Sequence, residues 1–274
     1  PHEEDIPSAI SEVLNECVNY AYECLEKPYR QLTHVVKCLP VDFSRWSELR
    51  RFLKKDDTRP EGQYAWLFDN QADSLRFDNE RVGFDITYLM DSVSKLISTP
   101  AYMFLLHRIR QSLDGRLTSI IMDEAWQLLD SPFWVGVIKT DIATIRKLNG
   151  FFIFMTQSPE TVKASAIAPQ LMDNLITTIV FPNPTGKFET YSAFGLSEAE
   201  FEIIKNTHPE SRQFLYCQKG EQSIFCKLDL SDLPDEIRVF SGNQKTVELL
   251  DEIVESNGLS PDKWMHDFIE RSKA

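Results

Sequence analysis

The chain has 274 residues, and 42 Asp and Glu against 29 Lys and Arg leave a formal charge of −13. Its apolar share of 42% allows a sizeable core, but the acid excess argues against a protein that grips nucleic acid through its own basic surface, because phosphate neutralisation needs clustered cations. No apolar run approaches the roughly 20 residues that cross a bilayer, and the start, Pro1-His2-Glu3-Glu4-Asp5, is unlike a signal peptide.

Residues 1 to about 62 read as an all-α region. Ile10, Val13, Leu14, Cys17, Val18 and Ala21 recur at helical spacing. Ser47 to Lys55 is a second amphipathic piece, and glycine is absent before Gly62. The pattern changes near residue 63. Tyr64–Phe68 and Arg81–Tyr88 are compact runs with apolar residues. Ser98-Thr99-Pro100 then reads as a helix start, with cap residues and a proline at the first turn. Tyr102, Leu105, Leu106, Ile109 and Leu113 give that helix an apolar stripe, and Asp114-Gly115 closes it.

Leu117 to Met122 is the next apolar run and it ends in Asp123-Glu124. A helix is expected from about Pro132 to Leu148, with Val135, Ile138, Ile142 and Ile145 on one face and Asn149-Gly150 at its end. Phe151 to Met155 reads as a strand ending in Thr156-Gln157. A helix near Pro169 to Leu175 leads to a third strand, Thr177 to Phe181. Strands alternating with helices predict a parallel sheet with right-handed crossovers, and near-continuous apolar strands fit a sheet covered on both faces. After Pro182, Gln213–Cys217 and Ser223–Leu228 read as a hairpin around Lys219-Gly220, followed by a helical tail from about Lys245 to Lys273.

Ligands of an open parallel sheet bind beyond the carboxyl ends of its strands, so Asp123-Glu124 and Thr156-Gln157 are expected to face one crevice. An apolar strand ending in Asp is the Walker B arrangement. Its carboxylate orients Mg²⁺ and the waters around it, a following Glu can polarise the attacking water, and a Gln on the next strand can report the γ-phosphate. Such runs also arise by chance, and Gln157 alone reads equally well as a loop residue. Arg146-Lys147 closes the crossover helix, where a cation can cap helix carbonyls or reach a neighbouring subunit's nucleotide.

Thr185-Gly186-Lys187 resembles the end of a phosphate-binding loop. The pattern G-x-x-x-x-G-K-[ST] would need Gly and Ser or Thr where Phe181 and Phe188 stand. No other segment matches. The five cysteines (Cys17, Cys24, Cys38, Cys217, Cys226) form no CxxC pair, so reduced thiols are expected. The scattered histidines suggest no zinc site. A start at Pro1 rather than Met leads to the expectation of a piece of a longer protein.

The series GFDITYLMD (83–91), LLHRIRQSLDGR (105–116), IIMDEAWQLLD (120–130), IRKLNGFFIFMTQSPE (145–160), IVFPNPT (179–185) and YSAFGLSEAE (191–200) resembles the large ATPases of type IV secretion and conjugation systems. This is the CagE/TrbE/TraC class, which includes the fourth VirB component. The resemblance covers roughly residues 60 to 240. It implies an α/β, RecA-like parallel sheet flanked by helices. The all-α subdomain would be residues 1–62, the ATPase core 63–240 and the helical tail 241–274.

Carried over, Asp123 is similar to the family's Walker B magnesium residue and Glu124 to its catalytic base. Gln157 resembles its strand-end glutamine and Arg146 the arginine of its Arg-Lys pair. The resemblance further implies ATP and Mg²⁺ as cofactors and homo-oligomers such as hexamers. It implies other inner-membrane secretion components as partners, DNA or protein as the transported substrate, and a place at the cytoplasmic face of the bacterial inner membrane. The family's phosphate loop lies upstream, so hydrolysis is expected of the intact parent rather than of these residues alone. A nucleotide-independent scaffold and a DNA-pumping ATPase of the same superfamily remain alternative readings. The company of Asp123, Glu124 and Gln157 favours the secretion motor.

Overall fold

The computed structural model describes residues 8–91, 95–124, 140 and 144–273. They form two compact units, Pro1–Thr156 and Gln157–Ala274.

The first unit opens with helix α1 (Ser8–Cys24), which buries Cys17 and Ala21 as the apolar spacing predicts. Val18, counted in the same stripe, is about half exposed; it lies ~100° around the helix from Cys17 and falls outside the packed face. Cys17 packs with Val36, Leu39 and Leu53, and Val13, Leu14, Leu32 and Trp46 close around them. Full burial of a Leu or Val stabilises by about 1.5–3 kcal/mol, so this cluster is the cohesion of the helical region. The short helices α2 (Leu32–Val35) and α3 (Trp46–Leu49) bring their residues to it.

Asp69 ties the same region together from within. It is fully buried. Thr33 N–H donates to its Oδ1 at 3.1 Å, Lys54 N–H donates to its Oδ2 at 2.8 Å, and the Thr33 hydroxyl donates to Oδ2. A buried carboxylate persists only when its oxygens are satisfied in this way. Gly62 belongs to the same knot: a Cβ there would collide with the backbone of Arg50 and Arg51.

Tyr64–Phe68 resolves as the single helical turn α4 (Ala65–Phe68). The 81–88 segment is irregular until α5 (Thr87–Asp91), where Asp85 Oδ1 accepts from Thr87 N–H at 2.9 Å. Helix α6 spans Lys95–Ser112 with Pro100 inside it, so it starts about a turn before the Ser98-Thr99-Pro100 start expected from sequence. Proline lacks one helical donor and crowds the preceding turn, yet the helix runs on through it, and Ile97, Ala101, Tyr102 and Leu106 are buried.

Strands β1 (Thr118–Asp123) and β2 (Gly150–Met155) follow and pair in parallel. Most of the helix expected from Pro132 lies outside the described residues, as do Ala125 and Trp126. Its final turn is described: Ile145 is buried, and Arg146–Leu148 tightens into a 3-10 turn ended by Asn149 at φ 60.

In the second unit, the helices Pro159–Ala164 and Ala168–Asn174 lead to β3 (Thr177–Val180). β3 pairs antiparallel with β4 (Gln213–Gln218), and β4 with β5 (Ile224–Lys227). This corrects the expectation that Thr177–Phe181 continues a parallel sheet: in the described ladders its partner is the outer hairpin. An apolar run encodes burial but not which neighbour it pairs with. The hairpin itself follows the sequence, with Gly220 at φ 87 in its turn. Val180, Tyr191, Leu196, Phe201, Ile204 and Leu215 form the core between this sheet and the helix Glu198–Asn206.

The tail is two helices, Gln244–Asn257 and Pro261–Arg271, preceded by the helix Pro234–Phe240. Ile253 and Phe268 are buried among them, and Arg271 pairs with Glu252 at 2.9 Å. Among the described residues no helix is long and apolar enough to cross a membrane.

Candidate functional site at the carboxyl edge of the parallel strands

Parallel pairing aligns the two strands residue for residue, from Thr118 beside Gly150 to Asp123 beside Met155. Ile120 and Met122 are buried and anchor β1. Asp123 is thereby delivered to the carboxyl edge with its side chain exposed, and the half-buried Glu124 follows directly. Glu124 N–H donates to Met155 O at 3.2 Å, which carries the ladder one residue past the strand.

The backbone then turns sharply, with Glu124 at φ 51. The left-handed region disfavours a residue with a Cβ by about 1–2 kcal/mol. Such conformations persist where the surroundings impose them, often at functional sites. Here the ladder bond to Met155 holds the residue from one side. The apolar-then-acidic pattern reveals the two carboxyls, whereas nothing in a Glu-Ala pair announces a left-handed turn.

Thr156 continues from β2 at the same edge, and Gln157, exposed, begins the second unit. Ser158 precedes the helix Pro159–Ala164, and its hydroxyl meets that of Thr161 at 2.6 Å. In chain terms Gln157 stands two residues beyond β2, as the sequence places it.

Arg146 lies elsewhere. It sits exposed in the turn that enters β2, at the amino end of the strands. Six residues of strand at about 3.3 Å each put that end roughly 17–20 Å from Asp123. The structure therefore brings Asp123 and Glu124 together and leaves Arg146 at the opposite edge of the same strand pair. Asn149 is the residue that organises this end. Its left-handed φ suits asparagine, its Nδ2 donates to Gly115 O at 3.1 Å, and its carbonyl accepts from Thr118 N–H at 3.1 Å. The Asn-Gly pair was legible as a helix stop; its link to Gly115 was not.

Mg²⁺ keeps several waters and binds through one or two carboxylates plus substrate phosphates rather than through an all-protein cage. An exposed Asp carboxylate with a Glu beside it, at an open strand edge, is a donor set that fits such an ion. Among the described residues no three His, Cys, Asp or Glu gather as a closed metal site.

The lookalike Thr185-Gly186-Lys187 is accounted for by packing. Asn183 Oδ1 accepts from Thr185 N–H at 3.2 Å and pairs with the Thr185 hydroxyl at 2.9 Å. Gly186 is required because a Cβ would strike the Tyr191 ring, and Tyr191 OH in turn accepts from Asn183 Nδ2 at 2.9 Å. This turn is a self-satisfied corner, and its glycine serves an aromatic contact.

No family model matches the chain. Individual proteins do. The type IV secretion system protein VirB4 of Bartonella henselae is 37% identical over 225 residues, which is 81% of this chain and 28% of that protein. VirB4 of Brucella abortus is 35% identical over 228 residues, 82% of this chain and 27% of that protein. The type IV secretion system protein PtlC of Bordetella pertussis is 32% identical over 223 residues, 80% of this chain and 27% of that protein. The chain thus spans little more than a quarter of the length of these relatives. The solved structure of VirB4 from Thermoanaerobacter pseudethanolicus has the same fold over 81% of this chain and 63% of its own, with a TM-score of 0.59 at 20% identity.

Proposed function

We propose, from the premise that this chain is a homologue of the VirB4 and PtlC type IV secretion proteins, that it supplies the acid half of an ATP-hydrolysing motor site in that secretion apparatus. The observation that carries the reading is the pair Asp123-Glu124 at the carboxyl edge of two parallel strands, with Glu124 held in a strained turn by the Met155 carbonyl.

In this reading the Asp123 carboxylate binds the waters of a Mg²⁺ ion. That ion, when bound, neutralises charge developing on the terminal phosphates. The Glu124 carboxylate accepts a proton from the attacking water and orients it. Gln157 contributes an amide that hydrogen-bonds the γ-phosphate or that water. The phosphate cradle comes from outside these 274 residues, none of which match G-x-x-x-x-G-K-[ST]. Turnover therefore belongs to the longer protein, and the chain by itself is predicted to hydrolyse ATP negligibly. Residues 1–62 act as an all-α subdomain, 63–240 as the core and 241–274 as a helical tail. The assembly works as a homo-oligomer with other secretion components at the cytoplasmic face of the inner membrane. It energises pilus assembly and substrate transfer.

A Mg²⁺ titration of ATP turnover by the intact protein tests the metal role. Asp123→Asn should raise the Mg²⁺ needed for half-maximal turnover by about tenfold or more, as expected when a charged partner of the ion's waters is lost. An unchanged titration curve would remove Asp123 from the metal site.

A further inference from the structure

The apolar pattern of β2 leaves open where that strand stops along β1. Phe152 and Phe154 stack with ring centroids 5.4 Å apart, on the face shared with the buried Ile120 and Met122. Phe151, Ile153 and Met155 occupy the other face and are exposed. A slip of one residue exchanges the two sets, apolar for apolar, so burial alone specifies this register weakly. The proposed site cannot tolerate the slip. The Met155 carbonyl would move about 3.3 Å along the strand and leave Glu124 N–H, and the left-handed turn at Glu124 begins at that bond.

The determinant lies at the other end of the pair. Asn149 grips the incoming strand twice: its carbonyl accepts from Thr118 N–H at 3.1 Å, and its Nδ2 donates to Gly115 O at 3.1 Å. The residues between these two points are themselves fixed. Asp114 Oδ1 accepts from Arg116 N–H at 3.1 Å, and Thr118 Oγ1 donates to Arg116 O at 3.0 Å. Asn149 is held at φ 60, with its N–H donating to Arg146 O at 3.3 Å. Directly after it, Gly150 is buried opposite Thr118, where a Cβ would stand 3.3 Å from Ile145 O. That fit disfavours sliding Phe151 into its place. The Thr118–Asn149 and Glu124–Met155 bonds lie equally far apart along both strands. Register shifts only by whole residues, so the contacts that set it at one end set it at the other.

We propose that Asn149 is the register lock of this strand pair, a positioning residue that fixes the Glu124 carboxylate from the opposite edge. It acts through its amide bond to Gly115 and its left-handed backbone. Its effect on turnover rests on the reading of Glu124 as the base; its hold on the register does not. Asparagine serves because it combines tolerance of a left-handed φ with an amide donor. Glycine shares the tolerance and lacks the donor. Aspartate also tolerates the turn, but its carboxylate only accepts and would face the Gly115 carbonyl unpaired.

The test uses the intact protein, with Asn149→Gly and Asn149→Asp beside Glu124→Gln. Amide hydrogen exchange, resolved to single residues by fragmentation in the mass spectrometer, reads the Glu124 N–H directly. Steady-state kinetics read turnover per bound nucleotide. Both Asn149 variants should lose protection at the Glu124 amide. Their kcat should fall about tenfold to a hundredfold, the scale expected of a reacting group misplaced by about 1 Å. KM for ATP should stay within about twofold, since the lost interaction is one made in the transition state. A residue that merely stabilises the fold would lower the melting temperature and leave kcat per bound nucleotide at the parent value. That outcome overturns the lock, as does full protection of the Glu124 amide in the variants. Parent-like turnover by Glu124→Gln would instead remove the base assignment, and exchange at the Glu124 amide would then decide the lock alone. If one Asn149 variant fails to fold, the other carries both measurements.

Discussion

Glu124 combines two demands. Its backbone must leave a buried strand at φ 51, and its side chain must stand beside Asp123 where both are wetted. The strain is supported by β2 through the Met155 carbonyl, so the position of the carboxylate is fixed by the sheet rather than by a loose loop. A different residue shows what an entirely structural carboxylate looks like. Asp69 is fully buried and accepts from Thr33 and Lys54. Asp69→Ala would leave the buried Thr33 N–H and hydroxyl without their acceptor, at about 1–3 kcal/mol each. We expect a loss of roughly 2–4 kcal/mol in urea unfolding, sensed by Trp46 fluorescence. A loss under about 0.5 kcal/mol, the size typical of surface substitutions, would show that the knot does not hold the helical region.

Elements differ in how far their sequences specify them. β1 and β2 were legible because each is a short apolar run stopped by polar residues, and pairing in register through Asp123 and Met155 follows once they are parallel. The helix Glu198–Asn206 is not among the elements read from the sequence, although Ser197 and Glu200 form a capping box whose reciprocal bonds are present. α6 was misjudged at its start, because cap residues before a proline outweigh an unmarked earlier turn. β3 was misassigned to the parallel sheet because pairing depends on the distant Leu215 and Tyr216. Of the site, the residue types were legible and the turn that presents Glu124 was not.

The capping box also carries a pH dependence. Ser223, Ser197 N–H and the Ser197 hydroxyl donate to Glu200 and hold its carboxyl below the usual range, the Ser223 bond being the largest cause. A depressed carboxyl stabilises the fold above its ordinary value of 4.5, and this stability is lost as pH falls through the lower folded value. Glu200→Gln should therefore lower the melting temperature at pH 7 and flatten its decline below about pH 4.5. An unaltered acid limb would refute the linkage. Ser197→Ala should cost about 1 kcal/mol at pH 7.

At the scale of the whole molecule, Arg146 and Asp123 occupy opposite ends of the same strands. Both can serve hydrolysis only if Arg146 acts on a neighbouring copy, so the proposed oligomer has a direct test. In the intact protein, Arg146→Ala and Glu124→Gln should each lower turnover strongly alone. Mixed assemblies should recover part of it, because an interface with Glu124 from one subunit and Arg146 from the other is complete. Absence of recovery in demonstrably mixed assemblies would place Arg146 outside catalysis in trans.

The proposed hydrolysis depends most heavily on Glu124 as the base. Its most direct test is steady-state ATP turnover by the intact protein beside its Glu124→Gln variant, with nucleotide binding measured in parallel. Gln keeps the size and the backbone strain but cannot accept the proton. We predict a fall in turnover of about 10²–10⁴-fold with binding retained. Turnover equal to that of the parent would contradict the assignment of this strand edge as the catalytic half of the site.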